Sequence, residues 1–273
     1  MAEKISIIGI QTSLTRDRKL NMDNAIKIME NAFELYKRVD MVVLPENFYF
    51  FPSRNEADEV GSIPEEFIQA FSERAKSYNT YIIAGTIVNR RGGKLYNTSL
   101  LFDRKGNIAG SYDKVHLFDA LNAAAGEKES SIITGGDKVF SYEADFGKIG
   151  IMVCYDIRFP EMARTMALQG VQFLFVPAAF YVPRSDHWQI LLQTAALQNS
   201  MYVTGANLYG MMGSRGGFCG RSLIVDPWGI ALATASDKAG FIQAYVDADY
   251  ADEIGQTIGS FNNRVPSIYG IFN

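Results

Sequence analysis

Gly150-Ile151-Met152-Val153-Cys154-Tyr155-Asp156-Ile157-Arg158-Phe159-Pro160-Glu161 reads as a buried strand that runs into a cysteine at a sharp turn and leaves it as a helix. Lys148 through Val153 is apolar and β-branched enough to be covered on both faces, as strands inside α/β folds are. Pro160 falls in the first helical turn, where its missing N–H removes no hydrogen bond. A cysteine at such a turn has its sulfur beside backbone N–H groups at a helix start, a setting that favours a thiolate. Free cysteine is also among the most often buried residue types, so Cys154 alone is equally open to a packing role.

Strand and helix patterns alternate outward from this stretch. Ile5–Ile10, Asp40–Leu44, Tyr81–Val88, Leu95–Asp103, Ile108–Val115 and Lys138–Phe146 read as strands before Cys154. Val171–Val176, Tyr202–Ala206, Arg221–Val225, Ile230–Thr234 and Phe241–Val246 read as strands after it. Leu20–Val39 carries Ile26, Met29, Phe33 and Tyr36 near helical spacing, Pro64–Tyr78 is helical with Ser62 as N-cap, and Ser185–Asn199 is helical. Turns are marked at Arg91-Gly92-Gly93, at Arg104-Lys105-Gly106-Asn107 and at Asp226-Pro227-Trp228-Gly229. Gly210–Gly220 is glycine-rich but leads into a strand, which is the wrong context for a phosphate-binding loop. A long loop from Leu117 to Asp137 is of the kind that carries function.

No linker, charge run or change of composition interrupts the alternation, so residues 1–273 are expected to form a single domain. About a dozen strands exceed what one open sheet holds. The expected class is α/β, with two face-to-face sheets and helices outside.

Composition narrows the function classes. The chain has 273 residues, 48% hydrophobic and 21% charged, as ordinary globular proteins have. A formal net charge of −4 argues against a nucleic-acid partner or an acidic membrane surface. There are two cysteines, Cys154 and Cys219, and no C-x-x-C pair, which disfavours a disulfide framework or zinc site and fits the cytoplasm. No apolar run has the length of a membrane span, and the N-terminus lacks a secretory pattern. The sequon at Asn97-Thr98-Ser99 is then without meaning as a glycosylation signal.

Three chemistry-bearing residues stand where an apolar strand stops: Glu46 after Met41-Val42-Val43-Leu44-Pro45, Lys114 after Ile108–Asp113, and Cys154. Ligand groups gather at the carboxyl ends of strands in α/β sheets. A thiol, a carboxylate and an ammonium brought together there make a working set for attack on an acyl carbon. The thiol is the nucleophile, the carboxylate takes its proton, and the ammonium offsets the oxyanion. Each residue alone is also compatible with a solvated strand end. A Cys–His pairing competes, through His116 or His187, the only two histidines.

Candidate pocket walls are Phe118, Phe180 and Tyr181, which follow strand ends, and Tyr49 within Phe48-Tyr49-Phe50-Phe51, a cluster equally suited to the core. Arg158, four residues past Cys154, either holds a substrate carboxylate or pairs with Asp156 or Glu161.

The chain resembles the carbon–nitrogen hydrolase (nitrilase) superfamily over nearly its whole length. Leu44-Pro45-Glu46, Tyr112-Asp113-Lys114-Val115-His116-Leu117-Phe118 and Gly150–Glu161 are similar to the family's Glu, Lys and Cys blocks, in order. Gly220–Gly229 also resembles a family strand and turn. The resemblance implies a four-layer α-β-β-α sandwich, a Glu46–Lys114–Cys154 triad, no metal or organic cofactor, and a homodimer or higher homo-oligomer. It implies a second carboxylate from the loop after Lys114, best matched by Glu129, with Glu127 competing. It also implies a covalent thioester on Cys154 and an oxyanion held by Lys114 and the N–H of Tyr155. The closest likeness is to ω-amidase-type members, through Tyr155-Asp156-Ile157-Arg158-Phe159 and His187-Trp188. The expected substrate is therefore a small, carboxylate-bearing amide. Carbamoyl compounds and nitriles fit the same triad, and a partner-bound, ammonia-supplying glutaminase is the alternative of another class. Where many relatives carry an Arg and, three residues on, an acid, this chain has Ala195 and Gln198.

Overall fold

In the computed structural model, which describes residues 4–119, 128–211 and 216–269, the chain builds two large β-sheets laid face to face. The first sheet contains β1 (Ile5–Gln11), β2 (Met41–Val43), β3 (Tyr81–Ile83), β4 (Ile87–Arg91), β5 (Lys94–Phe102) and β6 (Ile108–Asp113). The second contains β7 (Phe140–Ala144), β8 (Gly147–Ile151), β9 (Phe173–Ala178) and β10 (Tyr202–Asn207). A small hairpin, β11 (Tyr209–Met211) with β12 (Gly217–Cys219), stands apart. β13 (Leu223–Val225) and β14 (Ala231–Thr234) complete the second sheet, and β15 (Gly240–Val246) returns to pair with β1 in the first.

The period-2 alternation of side chains explains why the sheets are sandwiched. On β1, Ile5 and Ile7 enter the core shared with β8, β9 and β10, whereas Ile8 and Ile10 face the helices. Those helices are α1 (Arg18–Leu35) and α2 (Glu65–Ser77), which bring Ile26, Met29, Phe67 and Phe71 against the outer face. On the other side, α3 (Pro160–Leu168) and α4 (Ser185–Asn199) cover the second sheet with Met162, Met166, Trp188 and Leu192. The result is the expected four-layer α-β-β-α sandwich. A last helix, α5 (Ala248–Ile258), buries Ala251 and Ile254. Among the described residues, no helix is long and apolar enough to cross a membrane.

Three details correct the sequence expectations. Tyr81–Val88 is two strands, because the chain bends at Gly85, whose φ is +55° and where a Cβ would lie 2.0 Å from Pro45 O. Both pieces then pair along one edge of β5. α1 ends at Leu35 rather than at Val39, since Tyr36 is already extended and the chain must return to β2. Its start is fixed by Asp17, whose carboxylate accepts from Leu20 N at 3.0 Å. α2 follows Pro64 with no side-chain cap, so Ser62 does not have the expected role.

Strand direction places the site. β1, β2 and β3 are mutually parallel, as are β8, β9 and β10. β6 is antiparallel to β5, which is antiparallel to β3, so β6 runs the same way as β3. A parallel bridge between Thr12 and Leu208, just past β1 and β10, shows that both sheets end on the same side. The segments after β2, β6, β8 and β9 therefore converge there.

Candidate active site

Three of the converging segments each deliver one polar side chain. Glu46 follows β2, Lys114 follows β6, and Cys154 opens a short 3-10 turn, Cys154–Arg158, after β8. Cys154 takes φ +47° and Asn47, beside Glu46, φ +50°. Left-handed backbone at non-glycine residues is strained and clusters at functional sites. Glu46 and Lys114 are each only 2% exposed.

Lys114 Nζ donates to Glu46 Oε1 at 2.9 Å and to Glu129 Oε2 and Oε1 at 2.9 and 3.2 Å. Asn97 Nδ2 donates to Glu46 Oε1 at 2.8 Å and to Glu129 Oε1 at 3.4 Å. The Ala179 N–H, just past β9, donates to Glu46 Oε2 at 2.9 Å, and the Phe118 N–H donates to Glu129 Oε2 at 2.7 Å.

Counting lone pairs separates the two carboxylates. A carboxylate oxygen accepts about two hydrogen bonds. Both oxygens of Glu129 are filled, by Lys114 and Asn97 on one side and Lys114 and Phe118 on the other. Glu46 Oε1 is filled as well, but Oε2 accepts only from Ala179 and has a lone pair free. Glu46 and the same Ala179 N–H are electrostatic neighbours of the Cys154 thiol. Glu46 Oε2 thus has room for one more donor, whereas Glu129 is held by Lys114, Asn97 and the Phe118 N–H.

The protonation states follow. Burial works against the Lys114 charge, but Glu129 and Glu46 outweigh it and hold the ammonium well above its ordinary range. Burial and the Glu46 carboxylate push the Cys154 thiol well above its ordinary range, against the pull of Lys114 and the Ala179 N–H. This corrects the expectation that the turn itself favours a thiolate. Two carboxylates and one ammonium leave the cluster one negative charge in excess, and a short 3-10 turn does not offset it.

Asp156, fully buried, ties the Lys and Cys segments together. It accepts from Val153 N at 2.9 Å, Tyr112 Oη at 2.6 Å and His116 N at 2.9 Å, with His116 Nδ1 at 2.8 Å. His116 also stacks on Phe159, with centroids 3.7 Å apart. His187 Nδ1 lies 3.2 Å from Arg158 Nη2. Neither histidine lines the cavity, so the geometry does not favour a Cys–His pair. Cys219 is buried against Asn207, and its thiol is pushed up to about 11 by burial.

Above the cluster is a cavity of about 250 Å³, with Glu46, Lys114, Glu129 and Cys154 in its wall. Phe118, Phe180 and Tyr181 line it. Tyr49 does not. Its ring packs edge-on against Phe67 in the core, and its hydroxyl donates to Glu66 at 3.3 Å. The Tyr155 ring lies between Phe118 and Phe159 rather than in the cavity wall. Arg158 also misses the cavity and lies over the Phe180 ring at 5.3 Å. In a 3-10 turn the fourth residue on is rotated by about 120° from the first, so Arg158 cannot share the direction of Cys154. Instead Arg54, Lys128 and Arg184 line the cavity. Glu127 lies outside the described residues.

Sequence reasoning passed over Asn97 and Arg184. A signal for Asn97 was present: Asn97-Thr98-Ser99 is a polar run inside a strand flanked by core residues Leu95, Leu100 and Leu101. Arg184 stands in an irregular segment and gave none. Among the described residues, no group of three or more His, Cys, Asp and Glu is arranged to hold a metal ion.

Comparison with known proteins places the chain in a family. The chain is 36% identical over 266 residues to a deaminated glutathione amidase of Synechocystis, covering 90% of this chain and 96% of that one. It is 32% identical over 276 residues to an omega-amidase of Xenopus tropicalis, covering 98% and 97%. The structure of a carbon–nitrogen hydrolase from Helicobacter pylori superposes with a TM-score of 0.90 at 26% identity, covering 98% and 97%. The profile of the carbon–nitrogen hydrolase family matches residues 4–256, and the chain belongs to that family.

Proposed function

We propose that the protein is an amidase that hydrolyses the C–N bond of a small, carboxylate-bearing amide through a thioester on Cys154, releasing ammonia. Glu46 Oε2 takes the thiol proton as Sγ attacks the amide carbon, and the carbonyl π electrons move onto oxygen. The oxyanion is held by the Lys114 ammonium and the Tyr155 N–H. As the carbonyl re-forms, the C–N bond breaks, and Glu46 gives the proton to the leaving nitrogen. A water then enters, Glu46 takes its proton, and hydroxide adds to the thioester. The thiolate leaves and recovers the proton from Glu46. Glu129 stays out of the proton traffic and fixes Lys114.

The observation that carries this is the free lone pair on Glu46 Oε2 beside a protonated thiol, with every other acceptor position of the two carboxylates occupied. A small cavity suits a small amide. The names of the similar amidases support the ω-amide substrate class. An ammonia-release screen over ω-amides of dicarboxylic acids, simple amides, carbamoyl compounds and nitriles tests it, with intact mass recorded in parallel. Turnover of an ω-amide with an acyl adduct on Cys154 is expected. Near-wild-type ammonia release by Cys154→Ala or Glu46→Gln would overturn the assignment.

A further inference from the structure

The wall of the cavity divides by charge and depth. The inner part holds buried Glu46 and Lys114 with half-buried Glu129 on Lys114, one negative charge in excess. The remaining charged wall residues are Arg54, Lys128 and Arg184, all cationic; Arg54 and Lys128 are exposed and Arg184 is half-buried. They come from three separate parts of the chain: the 3-10 segment Arg54–Glu59, the residue before Glu129, and the segment between β9 and α4. Lys128 has Asp119 as an electrostatic neighbour. Arg184 has no carboxylate partner among the described residues, and its guanidinium lies 5.6 Å above the Phe118 ring. The nearby acid Glu56 is already held by Arg16 and Ser53.

We propose that Arg184 is the specificity-determining residue, binding the substrate carboxylate at the cavity mouth with Arg54 beside it, so that the amide end enters first. This rests on the amidase assignment above and adds to it how the site reads the other end of the substrate. A carboxylate at the bottom would meet an excess negative charge, whereas at the mouth it meets guanidinium groups that no carboxylate among the described residues neutralises. Arg184 is also suited chemically. Its planar fork matches a carboxylate in two hydrogen bonds, and a ring beneath it limits its freedom before binding. The charge gradient therefore sets orientation as well as affinity.

The test compares Arg184→Ala and Arg184→Lys with wild type on succinamate and on the uncharged pentanamide. For Arg184→Ala, KM for succinamate should rise roughly 10- to 100-fold with kcat little changed, as for a lost charge-assisted bond. KM for pentanamide should move less than about threefold, and Arg184→Lys should recover part of the loss. Equal effects on both substrates, or none on either, would overturn the proposal. A second measurement does not depend on turnover: calorimetric titration of glutarate into Cys154→Ala, with and without Arg184→Ala. Loss of glutarate binding only when Arg184 is removed supports the mouth site, and unchanged binding overturns it. Wild type that cleaves no amide yet binds glutarate through Arg184 would instead remove the amidase assignment and leave this one standing.

Discussion

Asn97 donates to Glu46 Oε1 at 2.8 Å, so an uncharged side chain in the middle of β5 fixes the carboxylate assigned as base. The same residue accepts from Lys114 N at its backbone carbonyl at 2.9 Å. It therefore sets both members of the buried ion pair without adding charge to a cluster that already has an excess. Asn97→Ala should lower kcat about 10- to 100-fold, the range seen for groups that orient working residues, with KM less affected. A steady-state kcat and KM split, with thermal melting as a folding control, measures it.

Glu129→Gln separates anchoring from proton transfer. Glu129 opposes the burial that works against the Lys114 charge, so its removal should lower the Lys114 pKa. The alkaline limb of kcat/KM should then shift to lower pH, because the oxyanion donor is lost earlier as pH rises. A pH–rate profile that keeps its alkaline limb in place would contradict the anchoring role.

The thiol offers an opposite pair of signs. Burial and Glu46 both hold Cys154 protonated. Glu46→Gln removes one of these, so thiolate should form at lower pH even as amide turnover is lost. Ultraviolet thiolate absorbance, taken as a difference from Cys154→Ala, reports the first, and ammonia release reports the second. Linkage gives a stability effect as well. With the folded pKa raised, the unfolded chain ionises first as pH increases, so this contribution is complete below the ordinary thiol range and is lost above it. Cys154→Ala should therefore lose less stability than wild type between neutral and alkaline pH.

Histidine substitutions test the competing thiol chemistry. His187→Ala should leave turnover of an uncharged amide within about threefold of wild type, since His187 touches Arg158 rather than the cavity. His116→Ala should lower the melting temperature more than it lowers kcat. Asp156→Asn should be worse than either, at about 1.5–3 kcal/mol for each charge-assisted bond lost from a buried acceptor. Abolished turnover in a folded His116→Ala or His187→Ala variant would reinstate an imidazole base.

Much of this was legible because strand ends are written plainly in sequence. Pro45 stops β2, and an unbroken apolar run leads to Cys154, so topology alone brings Glu46 and Cys154 to one edge. The fate of Arg158 was not legible, because sequence does not distinguish a 3-10 turn from an α-helical one, and the difference redirects the side chain. Tyr49 was ambiguous for another reason: Phe48 and Tyr49 both meet Phe67, and an aromatic run next to a site has the same composition whether it faces a core or a cavity. Arg184 became visible only once the segment after β9 was folded over the mouth.

The reacting groups hang from opposite walls. Asn97 is in the first sheet and Glu46 and Lys114 follow its strands, while Cys154, Ala179 and Arg184 follow strands of the second. The distance from thiol to base is therefore measured across the sandwich, and the apolar filling between the sheets acts as its gauge block. A side chain such as Ile7 or Phe175, which never meets a substrate, sets how far the two halves of the chemistry stand apart. Enlarging or shrinking that filling would mistune the enzyme without altering a single residue of its cavity.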